Sequence, residues 1–242
     1  MTAAVKKKTT GQTVFEDLRD KILSGEFPPG SHLPSERDMV SKLGVSRGAI
    51  REAIQRLEQS KLVSVNHGGG TRVNNFYETA GLELLVSLIN HNKFDFDLKI
   101  IRSLIEMRTA LGVDAARLAA QRRSEEIKDQ LLEQVDALEK LTSAPEQQEK
   151  IIEIWDLIIE ASENLAYKLS MNTLKETYSK FSQFLGSAML DSYRLNDFQK
   201  LIQAIVAKHH VKAESIARTM VERDTKKILD IVDQAWPSSA NG

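Results

Sequence analysis

The stretch from Leu33 to Asn75, LPSERDMVSKLGVSRGAIREAIQRLEQSKLVSVNHGGGTRVNN, leaves few folds open. Ser35 to Leu43 has the composition of a short helix, and Gly44-Val45 that of a tight turn. A second helix opens at Ser46, whose hydroxyl is suited to accept from an otherwise orphan backbone N–H. Ile50, Ala53, Ile54 and Leu57 then repeat at i, i+3, i+4, i+7, which puts them on one buried stripe. Two short apolar runs, about 62–66 and 71–73, flank His67-Gly68-Gly69-Gly70 and read as a hairpin. Two helices around a tight turn, followed by a hairpin, make a helix-turn-helix with a β wing.

The second helix carries the chemistry. Arg47, Gly48, Arg51 and Gln55 fall together on another face. Arg near the start of a helix suits the DNA major groove, where its guanidinium pairs bidentately with guanine O6 and N7. Gly48 and Ala49 are small enough for close approach to the duplex. The same spacing also describes an ordinary amphipathic helix with a solvated face; the preceding helix and the wing favour DNA. In the first helix, Ser35-Glu36-Arg37-Asp38 resembles a capping box with Asp in place of Glu. Arg37 opposes the helix dipole there, so a phosphate contact explains it better than stabilisation does. The glycines of the wing tip let backbone enter a narrow groove, with His67 as a minor-groove contact or a plain turn residue.

The remainder reads as helix. Val14–Ser24 forms a first helix with Val14, Phe15, Leu18 and Ile22 inward, and Ser31–Leu33 a short strand able to join the wing. Phe76–Asn90 reads as a connecting helix, with Leu82, Leu85, Val86 and Ile89 at helical spacing. Beyond residue 97 the patterning is helical throughout, over about 97–121, 125–142, 145–162, 164–191, 196–208 and 211–235. Ser124 is placed as an N-cap and Pro145 as a first-turn residue. The expected class is mostly α. A basic tail (1–11) precedes a winged helix-turn-helix domain (12–75), a connector (76–96), an all-α bundle (97–236) and a short tail (237–242).

Composition narrows the function. Residues 1–75 hold 12 Lys and Arg against 8 Asp and Glu, net +4, and the rest is net −5. A basic module on an acidic remainder fits phosphate binding by the first part alone. No cysteine is present, which excludes disulfides, thiol catalysis and zinc fingers of cysteine type. The start MTAAVKKKTT lacks an apolar core for a signal peptide, and no apolar run is long enough to span a bilayer; a cytoplasmic location without membrane is the expectation. No nucleophile elbow, P-loop, dinucleotide fingerprint or HExxH motif occurs, so no catalytic residue is assigned. An all-α enzyme and a winged helix used for protein contacts are the remaining alternatives.

Phe27–Met39 (FPPGSHLPSERDM), Gly44–Glu58 (GVSRGAIREAIQRLE) and the glycine-rich wing resemble the GntR family of bacterial regulators. Val73–Leu85 (VNNFYETAGLELL) and, more loosely, Ile105–Arg122, Ala161–Leu169 and Ile202–Ile205 resemble its fatty-acid-responsive FadR branch. The resemblance implies a homodimer that binds double-stranded DNA. By position it implies contacts from Arg37, Ser46, Arg47, Gly48, Ala49, Arg51, His67 and Gly68, with Gly69 beside them at the wing tip. The FadR branch carries a Lys shortly after the His; Gly69 and Gly70 stand here, so the comparison implies one phosphate or groove contact fewer.

The resemblance also bears on the helical half. Many relatives bind a divalent metal there through an Asp and three His. The aligned positions here are Ile151, Trp155, Phe198 and the span Met220–Arg223, none of which supplies those ligands. No metal and no cofactor is therefore expected. The apolar replacements imply either a greasy cavity or a filled core. The FadR branch implies a long-chain acyl-CoA as regulatory ligand, with Arg108, Thr109, Trp155, Tyr178, Phe198, Met220, Val221 and Glu222 as candidate effector-binding residues. A small organic or sugar acid held by Arg108 is the alternative effector, and an ordinary structural ion pair the plainer use of that Arg. The stretch Glu222-Arg223-Asp224-Thr225-Lys226-Lys227 departs from the glycine- and serine-containing ligand stretch of the FadR branch. His209 and His210, adjacent at a helix start, read as surface residues.

Overall fold

The computed structural model describes residues 10–66, 68–82, 84–85, 88, 98–175 and 194–235. The chain divides into two units, Met1–Asp95 and Phe96–Gly242.

In the first unit α1 runs Thr10–Leu23 and buries Gly11, Val14, Leu18 and Ile22. It begins earlier than its sequence pattern suggests, and takes Thr10 and Gly11 out of the expected tail. A Cβ on Gly11 would meet the carboxylate of Glu52, the movable end of its side chain, and the glycine leaves that space to it. Packing here overrides the poor helix propensity of glycine. Phe15, expected inward, is only half-buried, and the Arg19 guanidinium lies 5.7 Å from its ring centre.

Helix α2 (Glu36–Leu43) and helix α3 (Arg47–Gln59) form the helix-turn-helix. Ser35 Oγ accepts from Asp38 N at 3.2 Å and donates to Asp38 Oδ2 at 2.7 Å. The reciprocal bond of the expected capping box thus runs between side chains. Gly44 closes α2 with φ 64°, the left-handed cap that glycine adopts without a Cβ penalty. Ser46 caps α3 by accepting from Ala49 N at 3.2 Å. Ile50 and Leu57 are fully buried, each worth about 1.5–3 kcal/mol by transfer from water.

Strands β1 (Val63–Asn66) and β2 (Gly70–Val73) pair antiparallel, from Val63↔Val73 to Asn66↔Gly70. Gly69 N donates to Asn66 O at 3.0 Å, and Gly68 sits at φ 82°, where the turn needs a residue without Cβ. The expected strand at Ser31–Leu33 is reduced to a bridge, His32↔Arg72. Val73 N donates to Ser31 O at 2.8 Å and Leu33 N to Thr71 O at 2.9 Å.

The connector differs from expectation. Helix α4 covers only Phe76–Thr79 and stops at Ala80, whose ψ of 160° is extended. The interruption shifts the phase of the apolar residues beyond it: Leu84 and Leu88 are buried, whereas Leu82 is exposed and Leu85 half-buried. Val86 and Ile89 lie outside the described residues.

The second unit contains α5 (Leu98–Arg122), α6 (Glu125–Lys140), α7 (Ala144–Ala161), helical residues 165–175, α8 (Leu195–Val206) and α9 (His210–Ala235). Its described residues include no strand. Helix α5 lies against α7, α8 and α9. Ala115, Ala116, Ala119 and Ala120 on α5 let those backbones approach, and Leu131, Ile154, Ile158, Leu201 and Ile205 fill the core around them.

Helix ends are tied by charge. Ser124 Oγ accepts from Ile127 N at 3.2 Å, and Pro145 sits in the first turn of α7. Arg122 Nη1 donates to Ser162 O at 2.8 Å, and Arg123 donates to the carbonyls of Ile205 and Val206. Two arginines thus satisfy carbonyls left orphaned where α7 and α8 end. No helix among the described residues is long and apolar enough to cross a membrane.

Candidate nucleic-acid interface and effector region

The exposed face of α3 holds Arg47, Gly48, Arg51 and Gln55, with Ser46 at its start. Nε of Arg51 lies 3.0 Å from Oε2 of Glu36. Arg37 is an open cation at 87% side-chain exposure, 4.0 Å from Asp38. Gly68 and Gly69 are exposed at the wing tip; His67 lies outside the described residues. Ala49 is the exception. It is buried (8% exposed) and its N–H is used by Ser46, so what it offers a groove is small size and not a side-chain contact.

The wing is tied to α3 by residues that sequence patterning does not single out. Glu58 Oε1 accepts from Val65 N at 3.2 Å, and Leu62 N donates to Leu57 O at 2.9 Å. Asn74 Nδ2 donates to Lys61 O at 2.9 Å, which helps hold Lys61 at φ 56°. Arg72 of β2 is exposed and donates from Nε to Gly30 O at 3.3 Å. The positive φ and the cross-element bonds have no local sequence signature; only Gly and Asn advertise such turns.

In the helical unit, Trp155 of α7 meets Phe198 of α8 edge to face, with ring centroids 6.4 Å apart and planes at 77°. Gly112 of α5 lies against the Trp155 ring. A Cβ there would contact Trp155 at 3.5 Å and Val221 of α9 at 3.6 Å. Phe198, Met220 and Val221 are buried, while Trp155 and Ile151 are half-buried against the same core. Ile151, Trp155, Phe198 and Met220 thus share one apolar core. Among the described residues no three His, Asp or Glu side chains gather as a metal site.

Thr109 Oγ1 donates to Ile105 O at 2.9 Å and lies 2.5 Å from Thr225 Oγ1, which links α5 to α9. Arg108 is half-buried, with Nη1 sealed from solvent. Glu222 does not join this group. One step along α9 from Val221 rotates it by about 100°, and it is exposed, 3.7 Å from Arg218. Arg223 turns to Asp197, with Nη1 2.6 Å from Oδ2. Tyr178 lies outside the described residues. His209 and His210 are exposed at the start of α9.

A winged helix-turn-helix module joined to an all-α unit defines a transcriptional regulator. Residues 10–73 match the bacterial regulatory proteins of the gntR family, and residues 74–239 match the FadR C-terminal domain. The chain belongs to the GntR family, in its FadR branch, whose members are non-enzymatic DNA-binding regulators. The HTH-type transcriptional regulator Mce2R of Mycobacterium tuberculosis is 32% identical over 96% of this chain and 97% of its own. The fatty acid metabolism regulator protein of Shewanella sp. strain MR-7 is 30% identical over 90% of both chains. The solved structure of Lar, described as controlling the Listeria monocytogenes agr system, is 19% identical. Its TM-score is 0.52, covering 93% of this chain and 99% of that one, and it supports the fold alone.

Proposed function

We propose that this regulator controls fatty-acid metabolism, and that a long-chain acyl-CoA in the helical unit governs its hold on operator DNA. The observation that carries the proposal is near-full-length similarity to regulators named for fatty acid metabolism. The half-buried Trp155, packed against the apolar core that contains Phe198 and Met220, supports it, being chemistry that an acyl chain would seek.

On this reading Arg37, Ser46, Arg47, Gly48, Arg51, His67, Gly68 and Gly69 meet DNA, with Ala49 packed behind them. Arg37 and the wing backbone position the module on phosphate and groove, and Arg47 reads a base edge. The working species is a homodimer, because one recognition helix spans few base pairs and two-fold symmetry doubles the site. Ligand binding shifts the equilibrium between DNA-competent and DNA-released states by its differential affinity for them.

A second reading is favoured by Arg108, a half-buried cation on α5: a small organic or sugar acid with its carboxylate on the guanidinium. Native mass spectrometry of the purified protein tests both readings together. A dimer mass with a retained acyl-CoA supports the proposal; a monomer, or a dimer retaining a small acid, contradicts it.

A further inference from the structure

A carboxylate on a surface that must meet phosphates needs a reason. Glu36 is such a carboxylate. It opens α2 on the same module as Arg37, Arg47 and Arg51, and it is exposed at 41% of its side chain. Its Oε2 lies 3.0 Å from Nε of Arg51, 15 residues away on the recognition helix. Left unpaired it would repel the duplex. Paired, it does something useful to Arg51.

A free arginine on an exposed helix face samples many rotamers, and holding one of them costs conformational entropy on binding. The pair uses Nε, the donor at the side of the guanidinium. The two terminal nitrogens, which make the fork that matches guanine N7 and O6 or a phosphate, stay at the outer end of a side chain 70% exposed. We infer that Glu36 is a positioning residue for DNA recognition: its carboxylate pre-orders the Arg51 fork, trading non-specific attraction for specific affinity. This inference rests on the reading that the exposed face of α3 meets DNA.

An exposed ion pair of this kind adds little to folding stability, so its role has to appear in binding. Glu36 also stands in the first turn of α2, where a negative charge favours the helix. Glu36→Ala and Glu36→Gln lose that charge equally. Only Glu36→Gln keeps an oxygen that can accept from Nε, so a difference between the two variants isolates the acceptor.

The experiment measures binding of the full chain to two probes. One is the duplex that wild-type protein selects from a randomised pool; the other is poly(dI-dC). Glu36→Ala is expected to weaken the selected duplex by roughly three- to tenfold, and to bind poly(dI-dC) as well as wild type or better, since one like charge is gone. Glu36→Gln is expected to recover the selected duplex fully. In an Arg51→Ala background the loss caused by Glu36→Ala should vanish. If Glu36→Ala tightens both probes alike, the carboxylate only repels phosphate and the inference is wrong. It is equally wrong if Glu36→Gln binds the selected duplex as poorly as Glu36→Ala. If Arg51→Ala alone leaves that duplex unaffected, the assignment of Arg51 to the DNA face falls as well.

Discussion

Glu125 Oε1 lies 2.6 Å from Nη1 of Arg123, whose side chain is only 6% exposed. The same guanidinium caps α8, so one surface carboxylate helps neutralise the cation that joins the ends of two helices. Hydrogen bonds from Lys128 first, and from Arg123, hold the Glu125 carboxyl down to about 2, from an ordinary 4.5. The folded chain then takes up this proton less readily than the unfolded chain. The stabilisation is complete above about pH 4.5 and fades as pH falls towards 2. Urea midpoints of wild type and Glu125→Gln should therefore differ at neutral pH and converge through that window. A gap that stayed constant down to the lowest pH would contradict the assignment.

Arg47→Ala should cost about 1–3 kcal/mol on the selected duplex and flatten discrimination at one base position. Arg37→Ala, removing a phosphate contact, should weaken all sequences alike and lower the salt slope by about one. Fluorescence anisotropy on sequence variants at several salt concentrations separates the two effects. Equal losses for both variants on every sequence would mean that Arg47 reads no base.

Ser46→Ala should remove the α3 cap and cost about 1 kcal/mol of stability in the first unit. Phe198→Ala should cost about 3–5 kcal/mol in the second, because the ring is buried in the main core. Thermal unfolding followed by circular dichroism reads both. A Phe198→Ala protein as stable as wild type would show that the ring lines a space and does not fill one.

Added Zn²⁺, Mn²⁺ or Ni²⁺ should not raise the melting temperature with concentration. A metal bound only to the folded chain stabilises by RT ln(1 + [L]/Kd). Ile151, Trp155 and Phe198 present no ligand atoms to such an ion. Stoichiometric metal found by elemental analysis, and bound to the helical unit, would overturn this.

Local chemistry is legible in the chain. Ser35, Ser46 and Ser124 announce their helices because an N-cap is a short-range bond, and Gly44 and Gly68 announce their turns because φ is positive there. Features that depend on distant neighbours are not legible. Gly11 looks like a helix breaker until Glu52 is seen above it. Leu82 and Leu85 fit a helical stripe as well as Leu84 and Leu88 do, and only the extended Ala80 sets the phase. The exposed arginines of α3 emerge from periodicity, but the Glu36–Arg51 pair joins residues on different helices and leaves no periodic trace. Sequence adjacency groups Glu222 with Val221, whereas a helix turns neighbouring side chains apart.

The most direct measurement is release of the selected duplex, followed by fluorescence anisotropy, across a series of acyl-CoA chain lengths. Burying a methylene is worth ~0.8 kcal/mol, so each two-carbon extension should lower the concentration needed for release by roughly tenfold until the chain no longer fits. Free coenzyme A should be the weakest. Trp155→Ala, at a half-buried position, should shift the preferred length while leaving DNA binding without ligand unchanged. Release by a small dicarboxylate or sugar acid, with every acyl-CoA inert, would contradict the account and move the effector site to Arg108.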